Sequence, residues 1–238
     1  MEPTGLAIAF AVVLIGSAVQ GAAGFGLGLI AAPVLLLLDP RWVPGPLMAS
    51  GVTFTILVAY KERADIDLMG LRFAFIGRAI GTVAAALLLM VLSANAFDII
   101  FGSLVLLAVG LSMLGMKVSP TPGYATSAGL LSGFMGTISS IGGPPLALLY
   151  QREGGPRLRA TLSALFVAGA AISVASLALI GRYGVVEVWL TAFLVPPALL
   201  GFVAAGWLRG LVDRAGVRPL VLVLSAASAI AVLVRAVG

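Results

Sequence analysis

Long apolar segments joined by short polar loops make up nearly the whole chain. A segment of about 20 apolar residues is needed to cross a hydrocarbon core roughly 30 Å thick. Segments of this length occur at 43–60, 68–92, 96–116, 157–181, 185–208 and 216–236. The pattern predicts an all-α polytopic membrane protein that forms one transmembrane domain over residues 1–238.

Two further apolar regions are interrupted by glycine. Residues 5–19 and 26–38 are each too short to cross comfortably at about 1.5 Å per residue, and a glycine-rich run lies between them. Residues 122–138 and 144–151 repeat this arrangement. Each pair predicts a broken, re-entrant helical hairpin that returns to the side from which it enters. Because unpaired backbone groups are costly in a membrane, the tips should line a cavity or be buried in protein.

The two breaks belong to an internal repeat. An offset of 112 residues aligns Gly21 with Gly133, Gly24 with Gly136 and Pro33 with Pro145. Chance similarity in an alanine- and glycine-rich chain is the alternative. We predict a first repeat over 1–118 and a second over 119–238, each with a hairpin and three membrane-spanning helices. Since three crossings are an odd number, the second repeat must be inverted. A duplicated break is typical of transporters whose site lies where the broken helices meet.

The positions of the basic residues support hairpins that return to their entry side. This topology places three basic residues (Arg41, Arg182 and Arg235) on one face and leaves Arg78 inside. The other face then carries ten, namely Lys61, Arg63, Arg72, Lys117, Arg152, Arg157, Arg159, Arg209, Arg214 and Arg218. Lysine and arginine are enriched on the cytoplasmic side of membrane proteins. Both termini are therefore predicted to lie outside.

Composition narrows the classes of function. The chain is 61% hydrophobic and only 10% charged, whereas soluble domains carry about 25% charged residues. It has no cysteine and no histidine, and its acidic residues fall in loops or at the edges of the apolar segments. We therefore expect no enzyme activity, no metal and no cofactor. The net charge of +5 resides in short loops, which is typical of orientation signals and not of a nucleic-acid partner.

Four short stretches resemble one family of membrane proteins. They are the Gly-Phe-Gly run before Pro33, the Gly-Gly-Pro-Pro-Leu stretch at 142–146, and the segments 61–67 and 159–163. These resemble the sulfite exporter TauE/SafE family, also called the 4-toluene sulfonate uptake permease family. The resemblance implies a bacterial inner-membrane transporter of a small anion such as sulfite, sulfoacetate or another organosulfonate. The bilayer would be its other partner, and homo-oligomer formation stays open.

Two other functions are compatible with these features. One is an anion channel of the same architecture, and the other is a structural subunit of a larger membrane complex. Thiosulfate is disfavoured as a substrate because relatives that import it rely on cysteines, which this chain lacks.

The breaks are candidates for anion binding. Helix starts present free N–H groups and about half a positive charge, and glycine lets the backbone approach a ligand. The candidate substrate-binding residues at the breaks are Gln20, Gly24, Phe25, Gly26, Gly28, Ser139, Ser140, Gly142, Gly143 and Pro144. The alternatives are that the glycines serve only helix packing, that Gln20 bonds a free backbone carbonyl, and that Phe25 is a gate or a packing residue.

Arg78 is the last candidate for substrate binding. It lies six residues beyond Arg72, or about 9 Å deeper at helical rise, and its repeat counterpart is Ala198. A charge at that depth usually has a partner, yet the neighbouring segments offer no carboxylate. Either the side chain extends back to the membrane surface, or an anionic substrate is its partner.

Overall fold

The computed structural model describes residues 2–114, 121–150, 155–214 and 217–237. Within these ranges the chain forms ten α-helices and two short 3-10 turns, with no strand. The helices are α1 Pro3–Ala23, α2 Leu27–Leu38, α3 Gly45–Lys61, α4 Leu68–Val91, α5 Ala94–Met113, α6 Pro122–Ser139, α7 Gly143–Tyr150, α8 Gly155–Leu179, α9 Val185–Arg214 and α10 Val217–Val237. The predicted all-α polytopic fold is confirmed.

The predicted long segments correspond to helices α3, α4, α5, α8, α9 and α10. In the described ranges seven helices are long and apolar enough to cross a membrane, and the seventh is α1. The expectation that residues 5–19 are too short to cross the membrane is therefore wrong for α1, the first helix of the first hairpin. Helix α1 has 21 residues because it continues past Gly21 and ends only at Gly24, where φ is 90°.

Each hairpin brings its two outer ends together. Glu2 and Thr4 at the start of α1 line the same surface groove as Leu38 at the end of α2. In the second hairpin, Ala125 near the start of α6 belongs to the same apolar cluster as Tyr150 at the end of α7. Both hairpins thus enter the protein and return to the end where they began.

The hairpins open at opposite ends of helix α4. At one end, which we call the Asp98 face, Arg235 bonds the Asp98 carboxylate at 2.8 Å and the Leu36 carbonyl at 3.2 Å. At the other end, the Asp67 face, Tyr150 donates to the Asp67 carboxylate at 3.1 Å. Asp67 precedes α4, and Asp98 lies just after it, in the first turns of α5. The first hairpin therefore opens on the Asp98 face and the second on the Asp67 face.

Helices from the two halves of the chain pack against each other in matching pairs. Helix α4 packs along α6, and helix α9 packs along α1, while α3 contacts α8 and α5 contacts α10. If α1 corresponds to α6 and α4 to α9, the α4–α6 contact is the counterpart of the α9–α1 contact. The α3–α8 and α5–α10 contacts then each join a helix to its own counterpart. The arrangement is consistent with two inverted repeats. The predicted boundary at 118–119 lies outside the described residues.

Glycines permit the close approach of α4 and α6. A Cβ atom on Gly77 or Gly81 of α4 would overlap the carbonyl of Thr126 or Leu130 in α6. The G-x-x-x-G spacing places both glycines on one face of the helix, as in close-packed membrane helices. In the α1–α9 pair, a Cβ atom on Gly21 would lie 2.7 Å from that of Ala205. The packing interpretation therefore holds for these glycines.

We expect Gly81→Ala to destabilise the protein by about 1–3 kcal/mol, since the added Cβ atom meets backbone that cannot rotate away. The measurement is the thermal unfolding midpoint of the purified protein in detergent. Gly110→Ala in α5 is the matched control, because its Cβ atom would meet nothing within 4 Å. Equal midpoints for the two variants would contradict this account of the α4–α6 contact.

The predicted topology can be tested with single cysteines, for which the native chain gives no background. Ala64 and Ala94 are exposed and lie just before and just after α4. We expect an impermeant thiol reagent to label a cysteine at Ala64 only from the cytoplasmic side and one at Ala94 only from outside. Labelling of both from one side would refute the topology.

Candidate functional site

The tips of the two hairpins touch each other inside the protein. A Cβ atom on Gly28, in the first hairpin, would overlap the carbonyl of Ser140 in the second. A Cβ atom on Gly143 would lie 2.6 Å from that of Phe25. Glycine at both positions is what lets the two chain breaks approach so closely.

The first break lies between α1 and α2. Gly24 and Gly26 have φ angles of 90° and 146°, a region that residues with a Cβ atom rarely adopt. The N–H of Leu27, at the start of α2, donates to Oε1 of Gln20 at 3.1 Å. Gln20 thus bonds a backbone N–H, and not the free carbonyl of the alternative interpretation. The next N–H groups belong to the first helical turn, where no carbonyl of the same helix can accept them.

The second break lies between α6 and α7. Helix α6 ends at Ser139, and Ser140 follows it with a φ of 61°. The Ser140 hydroxyl donates to the Pro44 carbonyl at 2.8 Å. Ser132 in α6 donates to the Gly142 carbonyl at 2.6 Å. Ser132 is the repeat counterpart of Gln20. Each of these side chains makes a hydrogen bond from the first helix of its hairpin to the backbone at the break.

The breaks and helices α3 and α8 line a partly open cavity of about 60 Å³. This is room for a few waters or a small anion. The cavity is lined by the predicted residues Gln20, Phe25, Gly26, Gly28, Arg78, Ser140, Gly142, Gly143 and Pro144. Two predicted residues do not line it. Gly24 packs against Leu158 and Arg159, and the Ser139 hydroxyl donates to the Met135 carbonyl in its own helix.

Sequence reasoning missed the remaining walls of the cavity. Helix α3 contributes Leu47, Met48 and Thr55, and helix α8 contributes Phe166 and Ala170. The spacing of three to four residues that places such side chains on one helix face occurs in every apolar segment. Only the packing of α3 against α8 singles these residues out.

Arg78 is held inside the protein, and its side chain does not reach the membrane surface. It is 3% exposed, and its Nη1 donates to Oγ of Ser132 at 2.6 Å. Its guanidinium carbon lies 5.7 Å from the centre of the Phe166 ring. Its Nε has no hydrogen-bond partner in the described part of the chain. The charge is therefore buried with neutral neighbours, which is costly unless an anion joins them.

Three glycines make room for the Arg78 guanidinium. A Cβ atom on Gly142 would lie 2.9 Å from Nη1, and one on Gly136 would lie 3.4 Å from Nη2. A Cβ atom on Gly169 of α8 would overlap Nε and Cδ. Gly169 lies far from both breaks in the sequence, so no local signal could have linked it to Arg78.

Comparison with known proteins identifies the family. A family model described as Sulfite exporter TauE/SafE matches residues 8–232. The chain belongs to this family. The TauE/SafE proteins are membrane transporters of sulfur-related anions, and the seven apolar helices fit a multi-pass membrane protein. Neither a curated protein nor a solved structure matches the chain.

Two of the stretches that resemble the TauE/SafE family meet in the structure. Arg159, at the start of α8, bonds Glu62, just after α3, with a closest distance of 2.7 Å. The N–H of Asp67 donates to the Thr161 hydroxyl at 3.0 Å. These contacts join the Asp67-face ends of α3 and α8, the two helices that wall the cavity between the hairpin tips.

We expect Gly142→Val to abolish transport by the folded protein. Its Cβ atom would lie 2.8 Å from the Ser132 carbonyl and 2.9 Å from Arg78 Nη1, so the guanidinium must leave its place. Transport is measured in proteoliposomes, and folding by monodisperse elution. Gly123→Val, in the same hairpin but with nothing within 4 Å of its Cβ atom, is the control and should transport normally. Full activity of Gly142→Val would leave only a packing role for this glycine.

Proposed function

We propose that this TauE/SafE protein is a carrier that moves a small sulfur-containing anion across the bacterial inner membrane. The substrate is a sulfur oxyanion or an organosulfonate, such as sulfite, and it binds in the cavity between the hairpin tips. The observation that carries the proposal is the buried, carboxylate-free position of Arg78 where both breaks meet.

The donors around the cavity suit an oxyanion. A guanidinium offers several N–H groups in a planar fork that matches oxyanion geometry. The start of α2 adds the N–H groups of Gly28 and Leu29 and the positive end of the helix dipole. Backbone and guanidinium donors together would replace the hydration shell that the anion loses on entry.

The placement of the hairpins suits alternating access. They open on opposite faces, and their tips meet. A small displacement of one tip relative to the other would connect the cavity to a single face at a time. A structural subunit would have no use for such a cavity, whereas a channel would share it.

The orientation follows from the basic residues. Lys61, Arg63 and Arg72 lie around the Asp67-face end of α4, and Arg157 and Arg159 lie in the first turns of α8 at the same face. We assign this face to the cytoplasm because basic loops stay there. Both termini are then outside, as the charge pattern of the sequence predicts.

We expect Arg78→Gln to weaken anion binding by more than about tenfold, since hydrogen bonds to charged groups contribute about 1.5–3 kcal/mol. Arg78→Lys should recover only part of the affinity, because it keeps the charge and loses the planar fork. Calorimetry of the folded protein with sulfite and methanesulfonate is the measurement. Arg182→Gln, at an exposed arginine between α8 and α9, is the control. Unchanged affinity in Arg78→Gln would remove Arg78 from the site.

Counterflow in proteoliposomes separates a carrier from a channel. A carrier exchanges labelled substrate against a saturating internal pool, whereas a channel only lets the gradient decay. Saturable counterflow is the expected result, and its absence alongside rapid anion leak would favour the channel.

A further inference from the structure

The cavity contains a single charge. Among the described residues that line it, Arg78 is the only charged side chain. The other charged and titratable groups on the helices around it lie near helix ends: Tyr60 and Lys61 on α3, Arg72 on α4, Tyr124 on α6, Tyr150 on α7, and Arg157 and Arg159 on α8. Lys61 and Arg72 are each six residues from the nearest cavity residue of their helix, or about 9 Å away at helical rise.

The charge of the filled site therefore depends on the anion. One monoanion beside Arg78 gives a neutral pair. A dianion in the same place leaves one negative charge without a partner, surrounded by protein of low dielectric constant. An uncompensated buried charge is strongly destabilising. The fixed charge of the cavity thus favours an anion that carries one negative charge.

The walls of the cavity reinforce this preference. Much of the lining is apolar, with Phe25, Leu47, Met48, Ile141 and Phe166 around the arginine. These side chains cannot replace lost water with hydrogen bonds. A dianion holds its hydration shell more tightly than a monoanion, so it loses more on entering an apolar site.

We propose that this site selects monoanions: it takes singly protonated sulfite or an organosulfonate with no second ionised group, and it rejects sulfate, fully ionised sulfite and sulfoacetate, whose carboxylate adds a second negative charge. This rests on the proposed function of the same cavity. Sulfite would then move as hydrogen sulfite, which releases its proton to water on the far side when the pH there is higher. The substrate itself carries the proton, so the protein needs no chain of carboxylates through the membrane.

Calorimetry of the purified wild-type protein tests the inference with three probes across neutral pH. Methanesulfonate is a monoanion throughout, sulfate is a dianion throughout, and sulfite changes from one to two charges in this range. We expect methanesulfonate affinity to be independent of pH and sulfate affinity to be at least about tenfold weaker. Apparent sulfite affinity should fall about tenfold for each pH unit above its second ionisation.

Three results would count against these claims, and they are distinguishable. Sulfate affinity equal to that of methanesulfonate would overturn the monoanion inference and leave the anion site standing. Sulfite affinity that is constant or rises with pH would do the same. Failure of both methanesulfonate and sulfite to bind at any pH would refute the proposed function, and the inference with it.

A variant with a second charge provides an independent test. Met48 lines the cavity and is half-buried, and lysine has an unbranched chain of similar length. Met48→Lys should raise sulfate affinity relative to methanesulfonate by at least about tenfold, because a dianion then has two cations as partners. Met48→Gln, which keeps the length without the charge, is the control. Equal sulfate preference in the two variants would overturn the inference, and if Met48→Lys does not fold, the wild-type pH profile decides.

Discussion

The burial of the Arg78 guanidinium, with neutral groups as its only partners in the described residues, is the constraint on which the centre of this protein depends. A fixed charge at this depth needs polar contacts and space. Ser132 supplies a hydroxyl, and Gly142 and Gly169 supply space because they have no side chain. Residues of the second break, of α6 and of α8 thus shape the space that the Arg78 side chain of α4 occupies.

Two other sets of glycines bring backbones together at different places in the protein. Gly81 and Gly129 allow helices α4 and α6 to pack with their backbones in contact, which stabilises the fold in a membrane, where apolar burial gives little driving force. Gly28 and Gly143 instead allow the two breaks to meet. The distinction matters for function, since only the second group borders the cavity.

The proposed mechanism joins these features to membership of the TauE/SafE family. Hairpins that open on opposite faces and touch at their tips suit a site that connects to one side at a time. With a single arginine in an apolar cavity, the charge of the substrate becomes the main basis of selection. A proton that travels on the substrate also fits a protein whose spans carry their carboxylates at the ends.

The sequence by itself determined the all-helical membrane fold, the two breaks and the family, because apolar length and glycine runs are local properties of the chain. Most of the residues predicted at the breaks line the cavity, because the glycine runs that mark the breaks in the sequence are also where the hairpin tips meet. The tertiary structure decided the rest. It turned Arg78 inward and placed Phe166 and Gly169 beside it. These residues are some ninety positions from Arg78 in the sequence, and their contacts with it depend on how α4 packs against α8. It also left Gly24 and Ser139 out of the cavity lining, because the turn at each helix end determines which side chains and amides face the cavity.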